Sequence, residues 1–84
     1  MSDTCRLSEL PRSTPASVVE VGWAHAPRLA ALGLRPGAVL SVEQDAPLGG
    51  PRILRLGTAR LALARVLTRG IVVRPDAERE GADQ

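Results

Sequence analysis

Arg28-Leu29-Ala30-Ala31-Leu32-Gly33-Leu34-Arg35-Pro36-Gly37, followed by Ala38-Val39-Leu40-Ser41-Val42, constrains the architecture more than any other part of the sequence. Its leucines and alanines read as a short helix. Gly33 stops that helix, because glycine takes the left-handed conformation that closes a helix C-terminus, with Leu34 folding back onto the core. Arg35-Pro36-Gly37-Ala38 has proline second and glycine third, the signature of a type II turn. A strand follows. A unit of this kind redirects the chain sharply within about fifteen residues, as a very small barrel requires. It holds no acid–base pair and no phosphate loop, so it points to a binding or regulatory module before an enzyme.

Working outward, Ala16-Ser17-Val18-Val19-Glu20-Val21 is β-branched and partly alternating, which predicts a strand. Ala26-Pro27 is the expected helix entry, since proline is tolerated in a first turn. Leu29 and Leu32 then point inward, with Arg28 outward. Val39 to Gln44 alternates as a strand, with Val39, Ser41 and Glu43 opposing Leu40, Val42 and Gln44. Pro47, Gly49, Gly50 and Pro51 make the next stretch a loop. Arg52–Leu56 is a strand, Gly57-Thr58 a two-residue hairpin turn, and Ala59-Arg60-Leu61 the returning strand. Residues 62–69 carry Leu63, Val66 and Leu67 at helical spacing, stopped by Gly70. Ile71 to Arg74 closes the series before Pro75. Near the start, Leu7 and Leu10 are spaced to tuck one turn against the core. The expected architecture is mainly β: a small closed barrel of about five strands with two short helices inserted. Residues 1–6 read as a flexible N-terminus, 7–75 as the domain and 76–84 as a disordered acidic tail.

The chain has 84 residues, which is one domain with a small core. Trp23 is its sole aromatic, and that disfavours a platform on which nucleic-acid bases stack. All eleven basic residues are arginine. Residues 1–75 carry ten Arg against five acids, while Asp76, Glu78, Glu80 and Asp83 crowd the tail. Arginine suits bidentate carboxylate contacts and protein interfaces. One cysteine excludes an internal disulfide and a cysteine-based zinc cluster. No run approaches the length of a membrane span, and no export signal is visible, so a cytoplasmic protein without membrane insertion is expected.

The candidate chemistry is sparse. His25 is a lone imidazole at a turn, without partners for catalysis or metal binding. Cys5 sits beside Arg6 with no histidine nearby. The loop at 45–51 lacks the spacing of a phosphate loop, and no lysine exists to reach a phosphate. Glu43 and Asp45 read as a solvated strand end, too few oxygens for a cation site. Arg28, Arg35, Arg52, Arg55, Arg60, Arg65 and Arg69 read mostly as solvated outer-face positions. Arg28 and Arg35, flanking the first helix, are placed to rim an interface. No catalytic residue, metal ligand set or cofactor is expected.

The ordered set of motifs resembles the ferrous iron transport protein A (FeoA) family. Residues 28–40 resemble its R-L-x-x-L-G-[LI]-x-x-G-x-x-[IL] core. Ala46-Pro47-Leu48-Gly49-Gly50-Pro51 resembles its loop, and Ala62-Leu63-Ala64 to Ile71-Val72-Val73 its closing helix and strand. Where that family has a hydrophobic-Pro-Gly entry to the first strand, this chain has Ser13-Thr14-Pro15-Ala16-Ser17, with no glycine. The resemblance implies an SH3-like barrel and a cytoplasmic, non-catalytic accessory protein of bacterial ferrous iron uptake. The implied partner is the FeoB transporter, through its cytoplasmic GTP-binding part. A related module forms the C-terminal domain of DtxR-type metal-dependent repressors. The expected contact surface is the first helix and its turn: Leu29 and Leu32 as apolar elements, Arg28 and Arg35 as a polar rim, with Gly33, Pro36 and Gly37 shaping the turn. Each leucine is core or contact, and the sequence leaves both open. The alternatives are a basic barrel that binds nucleic acid and a metal-sensing regulatory domain. Weak self-association through an exposed strand edge is also open.

Overall fold

A computed structural model describes residues 3–75. The expected disordered tail at 76–84 lies outside the described residues. Six strands form one antiparallel sheet: β1 (Cys5–Arg6), β2 (Ala16–Val21), β3 (Val39–Asp45), β4 (Arg52–Leu56), β5 (Ala59–Leu63) and β6 (Ile71–Pro75), in the order β1-β6-β2-β3-β4-β5. Two short helices interrupt them, α1 (Ala26–Ala31) and α2 (Arg65–Thr68). The sheet curls far enough that Arg52, on β4, donates from Nη1 to the carbonyl of Leu7, the residue after β1, at 2.7 Å.

Three sequence expectations change. Cys5 and Arg6 are paired with Val73 and Val72, so the N-terminal stretch contributes a sixth strand. The second helix begins at Arg65, three residues later than its apolar spacing suggests. Leu63 is buried as the last residue of β5, Val66 is exposed, and Thr68 takes the buried position. Thr68 can be buried because its hydroxyl donates to the Arg65 carbonyl at 2.5 Å, which satisfies its polar atom within the turn.

The third change is in β3. Perfect alternation would put Glu43 and Asp45 on the same face. Instead Val42 pairs with Leu54 and Gln44 with Ile53, which leaves Glu43 as the extra residue of a β-bulge. The bulge resets the alternation, so Val42 and Asp45 share the side of Leu54 and Arg52. A second register shift lies between Val18 and Glu20 in β2, and there Val19 and Glu20 are both exposed.

The core is aliphatic. Leu7, Leu10, Leu34, Leu54, Ile71 and Val73 are fully enclosed. Leu7 and Leu10 come from the short 3-10 turn Leu7–Glu9 and its cap, as their spacing predicts. Ahead of β2, the turn that lacks glycine is made by Ser13 at φ 65°, with its N–H donating to Val42 at 2.8 Å. A β-carbon is unfavourable in that region, and glycine is not. Ser13→Gly keeps the hydrogen bond and removes the strain, offset by glycine's larger unfolded-state entropy. The expected net gain is about 0.5 kcal/mol, a rise of roughly 2–4 °C in thermal midpoint for a domain of this size, measurable by calorimetry.

Candidate functional site

The first helix ends as the sequence predicts. Gly33 has φ 96°, and its N–H donates to Ala30 at 2.9 Å, while the Leu34 N–H donates to Leu29 at 2.9 Å. These paired bonds are the Schellman closure, whose accompanying apolar contact joins the residue after the glycine to the last full turn. Leu34 and Leu29 occupy those positions, and both are buried. A β-carbon at Gly33 would also lie 2.9 Å from Leu56 Cδ2, so that side chain would have to shift, and the positive φ is what demands glycine. The following turn is closed by the Ala38 N–H on the Arg35 carbonyl at 3.0 Å, with Gly37 at φ 96° as its third residue. Gly37 and Ala38 also bond to Val18 of β2, which fixes the turn to the sheet.

This closure sorts the two leucines. Leu29 is 2% exposed and belongs to the core, so it is withdrawn from the contact surface. Leu32, expected to face inward, is 48% exposed. Its place in the core is taken by Leu34, because the left-handed step at Gly33 folds Leu34 rather than Leu32 against Leu29. Arg28 and Leu32 are four residues apart and share one side of the helix. Both Arg28 and Arg35 are exposed. Among the described residues, the ion pairs are made by Arg52, Arg55, Arg60, Arg65 and Arg74, and neither Arg28 nor Arg35 is in one. An exposed leucine, flanked in the chain by two exposed arginines without an ion pair among the described residues, therefore marks the end of α1. Trp23, in the turn entering α1, is 88% exposed and adds an aromatic surface that the sequence reading left unassigned. Being the only aromatic in the chain, and next to a helix entry rather than inside a strand pattern, was the available signal. Tryptophan and arginine are the residue types most enriched at the energetic centres of interfaces.

The acidic groups are already committed. Asp45 accepts from Arg52 Nε at 2.5 Å and Nη2 at 3.2 Å, and from Arg65 Nη2 at 3.3 Å. The Arg52 hydrogen bond, with the charges of Arg52, Arg65 and Arg12, holds the Asp45 carboxyl below the usual range against the opposing effect of burial. Arg52 is therefore not a solvated outer residue but a buried one. Strand alternation carried this signal, since Arg52 shares a face with Leu54. Arg65 also donates from Nε to the Gly50 carbonyl at 3.3 Å, tying the β3–β4 loop to α2. On the outer face Glu43 pairs with Arg55 and, at 2.9 Å, with Arg60. The Arg55 hydrogen bond, with the Arg55 and Arg60 charges, lowers its carboxyl pKa. Arg55 and Arg60 are direct cross-strand partners, and Glu43 offsets the repulsion between them. Neither carboxylate is a free strand end.

Cys5 is half-buried, with burial as the main cause that raises its thiol pKa, so it lacks the thiolate character of a nucleophile. His25 is exposed. Among the described residues, no group of three or more His, Cys, Asp or Glu is placed to hold a metal ion, and no helix is long and apolar enough to cross a membrane.

Residues 5–75 match the FeoA domain family. Among solved structures, the chain is 37% identical to the FeoA protein of Chlorobium tepidum, covering 87% of this chain and 71% of that one, with a TM-score of 0.80. It is 32% identical to an iron uptake regulatory protein, FeoA, covering 86% and 96% of the two chains with a TM-score of 0.75. A third, 33% identical with a TM-score of 0.70 and covering 82% and 88%, is the zinc complex of Stenotrophomonas maltophilia FeoA. It is described as a prokaryotic SH3-domain protein and proposed as a bacterial ferrous iron transport activating factor. The fold is thus an SH3-like one. Among curated protein sequences none matches the chain.

Proposed function

The chain belongs to the FeoA family of ferrous iron transport, and we propose that it is a non-catalytic accessory protein that docks on the cytoplasmic GTP-binding part of the FeoB transporter. The observation that supports this most is Leu32, exposed between Arg28 and Arg35 in the chain, neither of which has a carboxylate partner among the described residues. The Schellman closure and the type II turn fix the backbone on both sides of Leu32, so docking immobilises little more than side chains. Two arginine forks around an apolar centre fit an acidic rim surrounding an apolar recess. The arrangement favours binding over bond-making chemistry: Glu43 and Asp45 are held by arginines, and His25 is exposed and has no acid partner among the described residues.

The test is a calorimetric titration against the isolated GTP-binding domain of FeoB. Arg28→Ala combined with Arg35→Ala is expected to weaken association about tenfold or more, since losing roughly 1.4 kcal/mol is a factor of ten. The thermal midpoint of the variant should stay within a few degrees of the wild type, as for other surface substitutions. Unchanged affinity removes this surface from the proposal.

A further inference from the structure

The sheet has two edges, and they differ. β1 is only two residues long, which is one of the ways a protein blunts an edge. β5 is five residues long, Ala59-Arg60-Leu61-Ala62-Leu63, and among the described residues it pairs only with β4. It has no proline, no bulge and one charged side chain. That charge is drawn toward Glu43, 2.9 Å from Arg60 Nε.

The hairpin determines which backbone groups of β5 face outward. Gly57 has φ 66° and Thr58 is not in the left-handed region, so the two-residue turn is of type II′. Such a turn closes on a hydrogen-bonded pair, here Leu56 and Ala59. Pairs alternate from there. Ala59 and Leu61 spend their N–H and C=O groups on β4, whereas Arg60 and Ala62 direct theirs away from it. The next outward carbonyl, that of Ala64, is already taken by the N–H groups of Leu67 and Thr68 at the start of α2. No turn, loop or cap in the described residues takes up the outward groups of Arg60 and Ala62.

We infer that β5 is a self-pairing edge, on which a second copy of this chain adds its own β5 antiparallel, with the two-fold axis at Leu61. That register is set by elimination. Centring on Arg60 places the two guanidinium groups directly opposite each other, which is unfavourable. Centring on Ala62 requires Ala64, whose carbonyl is occupied. Centring on Leu61 lets Arg60 of each copy exchange both backbone hydrogen bonds with Ala62 of the other. It sets arginine against alanine, and brings the two Leu61 side chains together as a close, non-hydrogen-bonded pair. Leu61 is half-buried against the core, so the pair extends that core across the axis. A contact of one short strand falls well under the roughly 1,200 Å² of a stable interface, so the dimer is a weak, concentration-dependent one.

Sedimentation velocity over roughly 20 μM to 1 mM, the range where a contact this small is populated, tests the inference. The wild-type protein is expected to shift from the monomer's sedimentation coefficient toward the dimer's as concentration rises. Ala62→Pro removes an outward donor and none that bonds β4, which an edge strand tolerates. Ala62→Lys, a second variant that leaves the backbone unrestrained, sets an ammonium against the second copy's Arg60. Both variants are expected to remain monomeric throughout. A wild-type protein that stays monomeric at the highest concentration, or an Ala62→Lys variant that associates like the wild type, overturns the inference.

Discussion

Arg52→Ala is expected to cost about 2–3 kcal/mol, the largest stability loss among the polar positions, because it removes a buried guanidinium from a part-buried ion pair. Arg52 is 4% exposed and commits Nε and Nη2 to Asp45 and Nη1 to the Leu7 carbonyl. Truncation leaves that carbonyl with the Leu10 N–H alone, at 3.3 Å, and Asp45 with Arg65 alone, also at 3.3 Å. It also cuts the link between β4 and the segment that follows β1. For a domain of this size the thermal midpoint should fall on the order of 15 °C. Adding Asp45→Ala to Arg52→Ala should cost less than Asp45→Ala does alone, because the two residues act as one unit. The acid limb carries the same signature. The folded-state pKa of Asp45 is depressed, so its contribution is fully present above the ordinary carboxylate range, about 4. That contribution is lost as pH falls through the lowered folded value. The Arg52→Ala variant should show a flatter stability profile there, measured by urea unfolding at successive pH values.

Leu29→Ala and Leu32→Ala should separate just as widely. Leu29 lies in the core against the closure at Gly33 and Leu34, and removing its side chain is expected to cost about 2–4 kcal/mol through lost burial and the cavity left behind. Leu32, three positions along, is half-exposed at the helix cap, and its truncation should stay within about 0.5–1 kcal/mol. The two leucines are equivalent in sequence pattern, and only the left-handed step at Gly33 divides them. Paired urea melts measure the contrast, and equal losses at both positions would contradict the assignment of Leu32 to the surface.

What the sequence shows plainly is what single residues enforce. Gly33 and Gly37 both sit at φ 96°, prolines and glycines mark the loop between β3 and β4, and Gly57 marks the turn between β4 and β5, so those boundaries could be read directly. What it hides depends on partners distant in the chain. The bulge at Glu43 has no local signature, yet it turns Asp45 inward toward Arg52 and makes a pair of carboxylates into two arginine clamps. The start of α2 was obscured because Leu63 satisfies a helical spacing and a strand alternation equally well, and sheet pairing with Arg52 decides for the strand. The candidate surface was half legible. Arg28 and Arg35 could be placed outside from the helix pattern, but choosing Leu32 over Leu29 requires knowing that Leu34 fills the core. Trp23 needed the structure to show that nothing covers it.

If the exposed side of α1 docks a partner independently of the core, Leu32→Asp should expose it, because the substitution puts a carboxylate on that surface without touching the Gly33 closure. Titrated against the GTP-binding domain of FeoB, the variant should bind at least tenfold more weakly than the wild type while melting within a few degrees of it. Wild-type affinity in a correctly folded Leu32→Asp variant would rule out docking through this side of α1.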